Sequence, residues 1–291
     1  TIEALTRLHR SFISYDPAMD RPVDALQTAY IDKNPNNVAD RPLLDRAEGL
    51  QIYHDDHAAF NPYFRNEVKK SGFYDLFLFD LEGNTVYTVA KEKDFATNFL
   101  DGPFAPTSLG DAVKAALKGE NGKVHAADFL PYAPSAGAPA GFMVTPVTTA
   151  DGRRIGALGI QLPLDNLIKV ATDPLGMGET GETYIMGMDM RTRTSSREEG
   201  RFQVFDEVPA EDFLIAAKNG SFGIHENVKL NSGRRILAET RPITATGLDW
   251  VLVAERDMQE ITAPLNRYFA RMIAVIGICG VLVLGAGLIL S

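Results

Sequence analysis

Apolar residues at Ile2, Leu5, Leu8, Phe12 and Ile13 recur at the spacing of one helix face, so Ile2 to Ile13 is predicted as an amphipathic helix. Asp16, Pro17, Asp20, Arg21 and Pro22 break that pattern. Val23 to Ile31 reads as a second short helix, and Asn34-Pro35-Asn36-Asn37 reads as a loop. Leu43 to Ser71 is helix-like again, with Pro62 expected as a break or fresh start. The pattern then changes. Tyr74 to Phe79 is aromatic and bulky aliphatic throughout, and Thr85 to Val89 alternates β-branched residues with Tyr87. Leu81-Glu82-Gly83-Asn84 supplies the turn of a hairpin between them. The first of these strands is apolar on both faces. That predicts the centre of a five-stranded sheet covered on both sides.

Ser108 to Lys118 is predicted as an amphipathic helix capped by its serine. Strands follow near Phe142 to Thr148 and Arg154 to Leu162, joined by Thr149-Ala150-Asp151-Gly152. A linker helix is expected near Leu164 to Thr172. The second half repeats the plan, with strands at Thr183 to Met188, Ile224 to Leu230, Arg235 to Thr244 and Trp250 to Glu255, and a helix at Ala210 to Asn219. The segment Thr145-Pro146-Val147-Thr148-Thr149-Ala150-Asp151-Gly152 echoes Arg241-Pro242-Ile243-Thr244-Ala245-Thr246-Gly247. Asp80 and Asp189 each close a first strand. Two copies of one α+β module with antiparallel sheets are expected rather than one large sheet. Glu255 to Arg271 reads as a helix, with Pro264 as a possible kink.

Met272 to Leu290 is nineteen residues without a charge or a strongly polar group. A helix of that length rises roughly 28 Å, enough to cross a bilayer core. Its glycines, Gly277, Gly280, Gly285 and Gly287, suit close packing against another membrane helix. Arg267 and Arg271 flank the near side, which on the positive-inside tendency favours the cytoplasm, yet two arginines do not decide the orientation of a long domain. The start at Thr1 without methionine predicts a piece of a longer protein, with a cytoplasmic part after Ser291 and a first membrane helix before Thr1.

Of the 291 residues 45% are apolar, ample for one large core or two small ones. The net charge of -9 argues against nucleic acid as a partner. Cys279 is the sole cysteine, so neither a disulfide framework nor a cysteine metal site is available.

Polar groups gather around the hairpin. Tyr63, Phe64 and Arg65 precede it; Tyr74, Asp75, Tyr87 and Thr88 lie on it. Lys91, Asp94, Thr97 and Asn98 follow, and Asp128 and Tyr132 are expected in the loop before the third strand. Aromatic walls with one cation and carboxylates suit a small zwitterion or organic acid. His54 and His57 share a helix face, but no third ligand is placed by spacing, so they read as a solvated pair and no metal or cofactor is expected. Gly176 to Thr183 lacks the Lys-Ser/Thr ending of a phosphate loop and precedes a strand; it reads as a turn. Ser195-Ser196 has no placed base, so an enzyme active site is not expected.

These residues carry a family resemblance. Asn61-Pro62-Tyr63-Phe64-Arg65, Phe73-Tyr74-Asp75-Leu76-Phe77-Leu78-Phe79-Asp80 with Gly83 and Asn84, Val86-Tyr87-Thr88-Val89, Asp94-Phe95-Ala96-Thr97-Asn98, Asp128 to Ser135 and Gly178 to Tyr184 follow one another as in the double Cache sensory region of bacterial transmembrane receptors. The chain resembles chemoreceptors most, and also the sensor halves of some histidine kinases and nucleotide cyclases, from about Leu26 to Glu260. The resemblance implies two tandem PAS-like (Cache) modules, with a long N-terminal helix and a C-terminal transmembrane helix. It implies an N-terminal helical region at 1–60, a membrane-distal module at 61–165, a membrane-proximal module at 166–258 and a juxtamembrane and membrane helix at 259–291. It also implies a small-molecule ligand in the distal module, a homodimer seamed by the N-terminal helix, and a sensor held in the cell membrane through 272–290 with residues 1 to about 271 outside the cytoplasm. Amino-acid-sensing members place an aromatic pair after a proline, which falls on Tyr63 and Phe64. They also place an aspartate after a Pro-Tyr pair, and here Pro131-Tyr132 is followed by Ala133-Pro134-Ser135 instead. Met190-Arg191-Thr192 replaces the usual glycine turn after Asp189, which implies a structural second module. A membrane-anchored hydrolase using Ser195, Ser196 or the His54 and His57 pair is the rival from another class.

Overall fold

The helical face of Ile2–Ile13 (α1) buries Ala4, Leu5, Leu8 and Phe12 and leaves the terminal Ile2 and Ile13 exposed. Val23–Gln27 (α2) runs on as a wider π turn, Thr28–Asp32, and Val38–Leu43 is a single 3-10 segment. Ile52–Ser71 (α3) is continuous through Pro62, contrary to the break expected there. Proline costs one backbone hydrogen bond inside a helix. Here α3 is anchored on both sides of it by Tyr53, Phe64 and Val68 in the core. The structure is a computed structural model that describes residues 1–15, 22–245 and 247–290, the side chains of 245 and 282–290 excepted. The break expected at Asp16 to Arg21, and Thr246 in the echoed segment, lie outside the described residues.

The chain divides into two compact units, 1–166 with 244–248, and 167–243 with 249 onward. In the first, Asp75–Phe79 (β1) and Thr85–Thr88 (β2) form the hairpin. Ser108–Lys118 (α4) follows, with Thr107 rather than the serine as its N-cap: Thr107 Oγ1 accepts the Gly110 N–H at 3.1 Å. His125–Pro131 (β3), Pro139–Thr148 (β4) and Arg154–Leu162 (β5) complete an antiparallel sheet in the order β2-β1-β5-β4-β3. The first strand is therefore second from the edge, beside β2, and β5 holds the centre. Its double apolar character has the cause expected for it: helices cover both faces of the sheet. Leu76 and Leu78 pack with α1 and α3, while Phe77 and Phe79 pack with Leu109, Val113 and Ala116 of α4. β3 was expected as loop. It is an edge strand with a bulge between Ala127 and Leu130, and its two alanines and outward Leu130 blur the alternation.

The second unit follows Leu164–Ala171 (α5) and holds Glu182–Gly187 (β6), Asp212–Lys218 (α6), Gly223–Lys229 (β7), Arg235–Ala245 (β8) and Leu248–Asp257 (β9). Its sheet runs β6-β9-β8-β7. That is the order β1-β5-β4-β3 again, without a counterpart of β2. The fold is α+β with two antiparallel sheets of matching topology. Met190, at φ 62°, takes the left-handed conformation that Gly83, at φ 82°, supplies in the first turn. Met258–Leu290 (α7) ends the chain as one helix through Pro264. Among the described residues no helix is long and apolar enough to cross a membrane. The expected span Met272 to Leu290 reaches into 282–290, whose side chains lie outside the described residues.

Candidate functional site

Asp75 opens β1 on the face that carries Phe77 and Phe79, and it is fully buried. Its Oδ1 accepts three backbone N–H groups, from Leu76 at 2.6 Å, Val89 at 2.8 Å and Ala90 at 2.9 Å. The carboxylate thereby ties down the chain where β2 ends. Its Oδ2 has no partner among the described residues. Directly across the β1–β5 pair stands Gln161, also buried. Its Nε2 donates to Ser135 Oγ at 3.4 Å, and its Oε1 is likewise without a partner.

After β2 the chain turns through Lys91 (φ 58°) and Ala96 (φ 65°), two left-handed non-glycine residues. Such conformations cost of order 1 kcal/mol or more each and need support from their surroundings. The excursion buries Glu92 and Asp94. Glu92 Oε1 accepts Tyr74 OH at 2.7 Å and its Oε2 accepts Ser135 Oγ at 2.6 Å. Asp94 Oδ2 accepts Tyr132 OH at 2.7 Å, and Asp94 Oδ1 has no partner among the described residues. Tyr132 and Ser135 belong to the β3–β4 connection, a 3-10 turn at Ala133–Ser135 closed by left-handed Ala136 and Gly137. That connection closes over the cluster by three side-chain bonds, the third from Gln161.

The electrostatics follow from burial. Burial, and then the Asp94 charge, pushes Asp75 well above the usual carboxylate range. Asp94 is pushed up to about 7 by burial, opposed by the Tyr132 hydrogen bond and assisted by the Glu92 charge. Lys91 is drawn down to about 7 by burial, with the Asp75 charge opposing. Its Nζ donates to the Thr88 carbonyl and sits 4.2 Å from the Tyr87 ring centroid and 5.3 Å from that of Phe95. The ammonium is spent on a carbonyl and aromatic faces.

Of the residues picked out from sequence, Tyr74, Asp75, Thr88, Lys91, Asp94 and Tyr132 are joined in this network, Thr88 through its Oγ1, which accepts the Lys91 N–H at 3.0 Å. Tyr87 faces the other core, where its OH donates to Asn61 Oδ1 at 2.7 Å. Phe64 packs on Tyr87 in that same core, and Arg65 bonds Asp45 Oδ1 at 2.8 Å. Tyr63 is 58% exposed. Asp128 lies in the bulge of β3 rather than in a loop, its Oδ1 accepting the Phe129 N–H at 2.7 Å. Glu92, Ser135 and Gln161 were missed. Gln161 carried a readable signal, as the one amide in the otherwise apolar end of β5.

His54 and His57 are not solvated. Both are buried; Tyr30 OH lies 3.0 Å from His54 Nδ1, and His57 Nδ1 donates to the Asp45 carbonyl at 2.6 Å. Among the described residues, His9, Asp80 and Glu82 form the one His/Asp/Glu trio with ligand atoms within 4.8 Å of one another. Asp80 is already committed there, accepting both N–H groups of Asn84 at 2.8 and 2.9 Å. A cleft of about 780 Å³ also opens in the first unit, lined by Tyr15, Asp24, Lys33, Arg46, Glu48 and Gln51 among others. Arg46 there is bonded to Asp55, Ala47 and Gly49. In the second unit Arg201 is clamped between Glu182 and Glu255, and Tyr184 OH donates to Glu255 Oε2 at 3.4 Å.

No protein-family model and no curated sequence matches the chain. Solved structures similar to it include ligand-binding domains of chemoreceptors. That of Pseudomonas aeruginosa PctB in complex with L-Gln has a TM-score of 0.48 and 14% identity, covering 94% of this chain and 95% of that one. That of Pseudomonas aeruginosa PctC in complex with GABA has 0.48 and 16%, covering 81% and 94%. That of Pseudomonas fluorescens CtaA in complex with L-serine has 0.45 and 15%, covering 88% and 93%.

Proposed function

We propose that the chain is the sensor region of a bacterial transmembrane receptor of the double Cache type, serving chemotaxis. The first unit is the membrane-distal module and binds a small molecule at the cluster of Asp75, Glu92, Asp94, Tyr132, Ser135 and Gln161. The second unit is a structural relay, and α7 carries the state inward, with 272–290 in the membrane and residues 1 to about 271 outside the cytoplasm. Two copies pair through α1. The chain binds and does not turn over its ligand.

One observation carries this reading: among the described residues, buried side-chain oxygens of Asp75, Asp94 and Gln161 lack partners, Gln161 standing across the strands from Asp75 and the Asp94 charge acting on Asp75. Leaving a buried acceptor unpaired costs about 1–3 kcal/mol, more if charged. A fold that keeps them carries a cost that a bound ligand with matching groups removes. The closing connection suits a two-state response. A ligand seated on the cluster favours whichever position of Tyr132 and Ser135 accommodates it, by as much as its affinities for the two states differ.

The test is a thermal-shift screen of the full chain in detergent against amino acids, organic acids, amines and purines. A ligand at a hundredfold excess over Kd adds about 2.7 kcal/mol, several degrees in Tm. The expected hit is abolished by Asp94→Asn or Tyr132→Phe, survives Ser196→Ala, and is recovered chemically unchanged. A hit indifferent to the first two changes, or one consumed by the protein, contradicts the reading.

A further inference from the structure

We propose that His9, Asp80 and Glu82 bind a divalent ion of the zinc class, through His9 Nδ1 and one oxygen of each carboxylate, between α1 and the β1–β2 turn. This site lies apart from the ligand cluster and stands or falls independently of the sensor reading.

Two elements far apart in sequence meet here. His9 is on α1, while Asp80 and Glu82 belong to the turn that follows β1. Their ligand atoms all lie within 4.8 Å of one another, and among the described residues no other His/Cys/Asp/Glu trio does so. His9 Nδ1 is 3.2 Å from Asp80 Oδ2. Two ligand atoms on a tetrahedral zinc, each about 2.1 Å from the ion, stand about 3.4 Å apart, so this pair is already at coordination spacing. Glu82 is exposed, and rotation of its side chain covers the remaining distance.

Asp80 gives the site its pull. Its side chain is 1% exposed, and a buried carboxylate is paired with a cation or coordinates a metal. Among the described residues no lysine or arginine pairs with it; a histidine 35% exposed does. Asn84 fixes the carboxylate, its backbone N–H on Oδ1 at 2.8 Å and its side-chain N–H on Oδ2 at 2.9 Å. Asn98 Nδ2 in turn donates to Asn84 Oδ1 and to the Glu82 carbonyl, both at 2.8 Å. Such bonds orient ligands from outside the ligand set, as the outer shell of a metal site does. The Asn84 bonds use two of the roughly four lone pairs of the carboxylate. The Oδ2 lone pair that faces His9 is the one an ion takes, in place of the hydrogen bond.

The donor set selects the ion. One imidazole nitrogen and two carboxylate oxygens suit Zn²⁺, whereas Ca²⁺ and Mg²⁺ take oxygen ligands in larger number. Three protein ligands leave a tetrahedral position to water, on the side where His9 and Glu82 reach solvent. A bound ion fastens α1 to the turn of the hairpin.

The experiment is isothermal titration of the untagged full chain in detergent at about pH 7.5, where an imidazole ligand is readily deprotonated. The probes are Zn²⁺, Ca²⁺ and Mg²⁺, and thermal unfolding is followed with and without Zn²⁺. One Zn²⁺ per chain is expected to bind, at least about tenfold tighter than Ca²⁺ or Mg²⁺, and to raise Tm. His9→Gln keeps an N–H for Asp80 and removes the nitrogen ligand; Glu82→Gln alters an exposed side chain. Loss of an outer-shell partner costs metal sites about tenfold to a hundredfold, so each of these ligand changes is expected to cost about tenfold or more. The metal-free Tm of Glu82→Gln is expected to hold, which separates a lost ligand from a lost fold. Asp94→Asn and His125→Gln are expected to leave Zn²⁺ affinity unchanged. Silence from Zn²⁺ up to ~1 mM overturns the assignment and leaves His9 and Asp80 a hydrogen-bonded pair only. Affinity unchanged in either His9→Gln or Glu82→Gln overturns it, as does Ca²⁺ binding as tightly as Zn²⁺. Zn²⁺ binding lost in Asp94→Asn overturns it too, and places the ion in the ligand cluster instead.

Discussion

A carboxyl group held neutral at pH 6 and a lysine held half-neutral at pH 7 sit one turn of chain apart, and each makes a statement about stability. Asp94 is raised from 3.8 to about 7. Its contribution is fully present below pH 4 and is lost as pH rises through about 7, up to ~4 kcal/mol by linkage. Asp75 shifts the same way. Lys91 is lowered from 10.5 to about 7, so its neutral form favours the fold only as pH climbs above 7. The groups facing them are Glu92, Tyr132 and, on α3, His57, whose imidazole burial and then Lys91 hold well below its ordinary range. Asp94 by itself therefore lowers the stability of the unliganded chain from pH 4.5 to 7 and Lys91 by itself raises it from 7 to 9, and urea denaturation of wild type against each variant reads the two contributions. Asp94→Asn is expected to lessen the fall from 4.5 to 7, Asp75 keeping its own part, and Lys91→Met to lessen the rise above 7. A wild-type maximum at neutral pH, with both variants running parallel to it, contradicts the assignment of these two groups. At this scale the sequence was legible where chemistry was dense. Tyr74, Asp75, Lys91, Asp94 and Tyr132 could be read from an aromatic hairpin trailed by charges. Tyr63, Phe64 and Arg65 stood equally dense in sequence, but α3 turns them to the other core, to Asp45 and to solvent. Only the register of a helix on a sheet decides that.

At the scale of elements, the sheet depends on small residues where β5 passes β1. Gly156 has φ 152°, and a Cβ there would lie 2.1 Å from the Phe79 carbonyl oxygen. Gly159 lies opposite Phe77, and its Cβ would lie 3.0 Å from the Phe79 ring. Gly156→Ala is expected to cost about 2–4 kcal/mol from backbone strain and overpacking, read as a lower urea midpoint at unchanged slope. A change under about 0.5 kcal/mol contradicts the close approach of the two strands. The periodic elements were legible to the residue: α1, α4 and β5 begin and end where their patterns do. β3 was not, because an edge strand with a bulge is half exposed and need not alternate. Its loss from the reading displaced Asp128 into a loop and hid the connection that carries Ser135. Pro62 misled for the opposite reason, since core anchoring on both sides outweighs one lost hydrogen bond.

At the scale of the molecule, the repeated strand order explains why the second unit echoes the first in sequence and yet differs in chemistry. Where the first unit has unpartnered acceptors, the second has Arg201 closing the corresponding carboxylates, Glu182 and Glu255, into a paired triad. The central claim is that a small ligand seats at the end of β1 in the first unit. Hydrogen exchange of the full chain in detergent, with and without the tightest hit of the screen, tests it most directly. The account predicts slowed exchange at Leu76, across 88–98 and across 130–138, with 22–51 and 182–230 unchanged. Protection centred instead on 22–51, around the open cleft, or confined to the second unit, would contradict it.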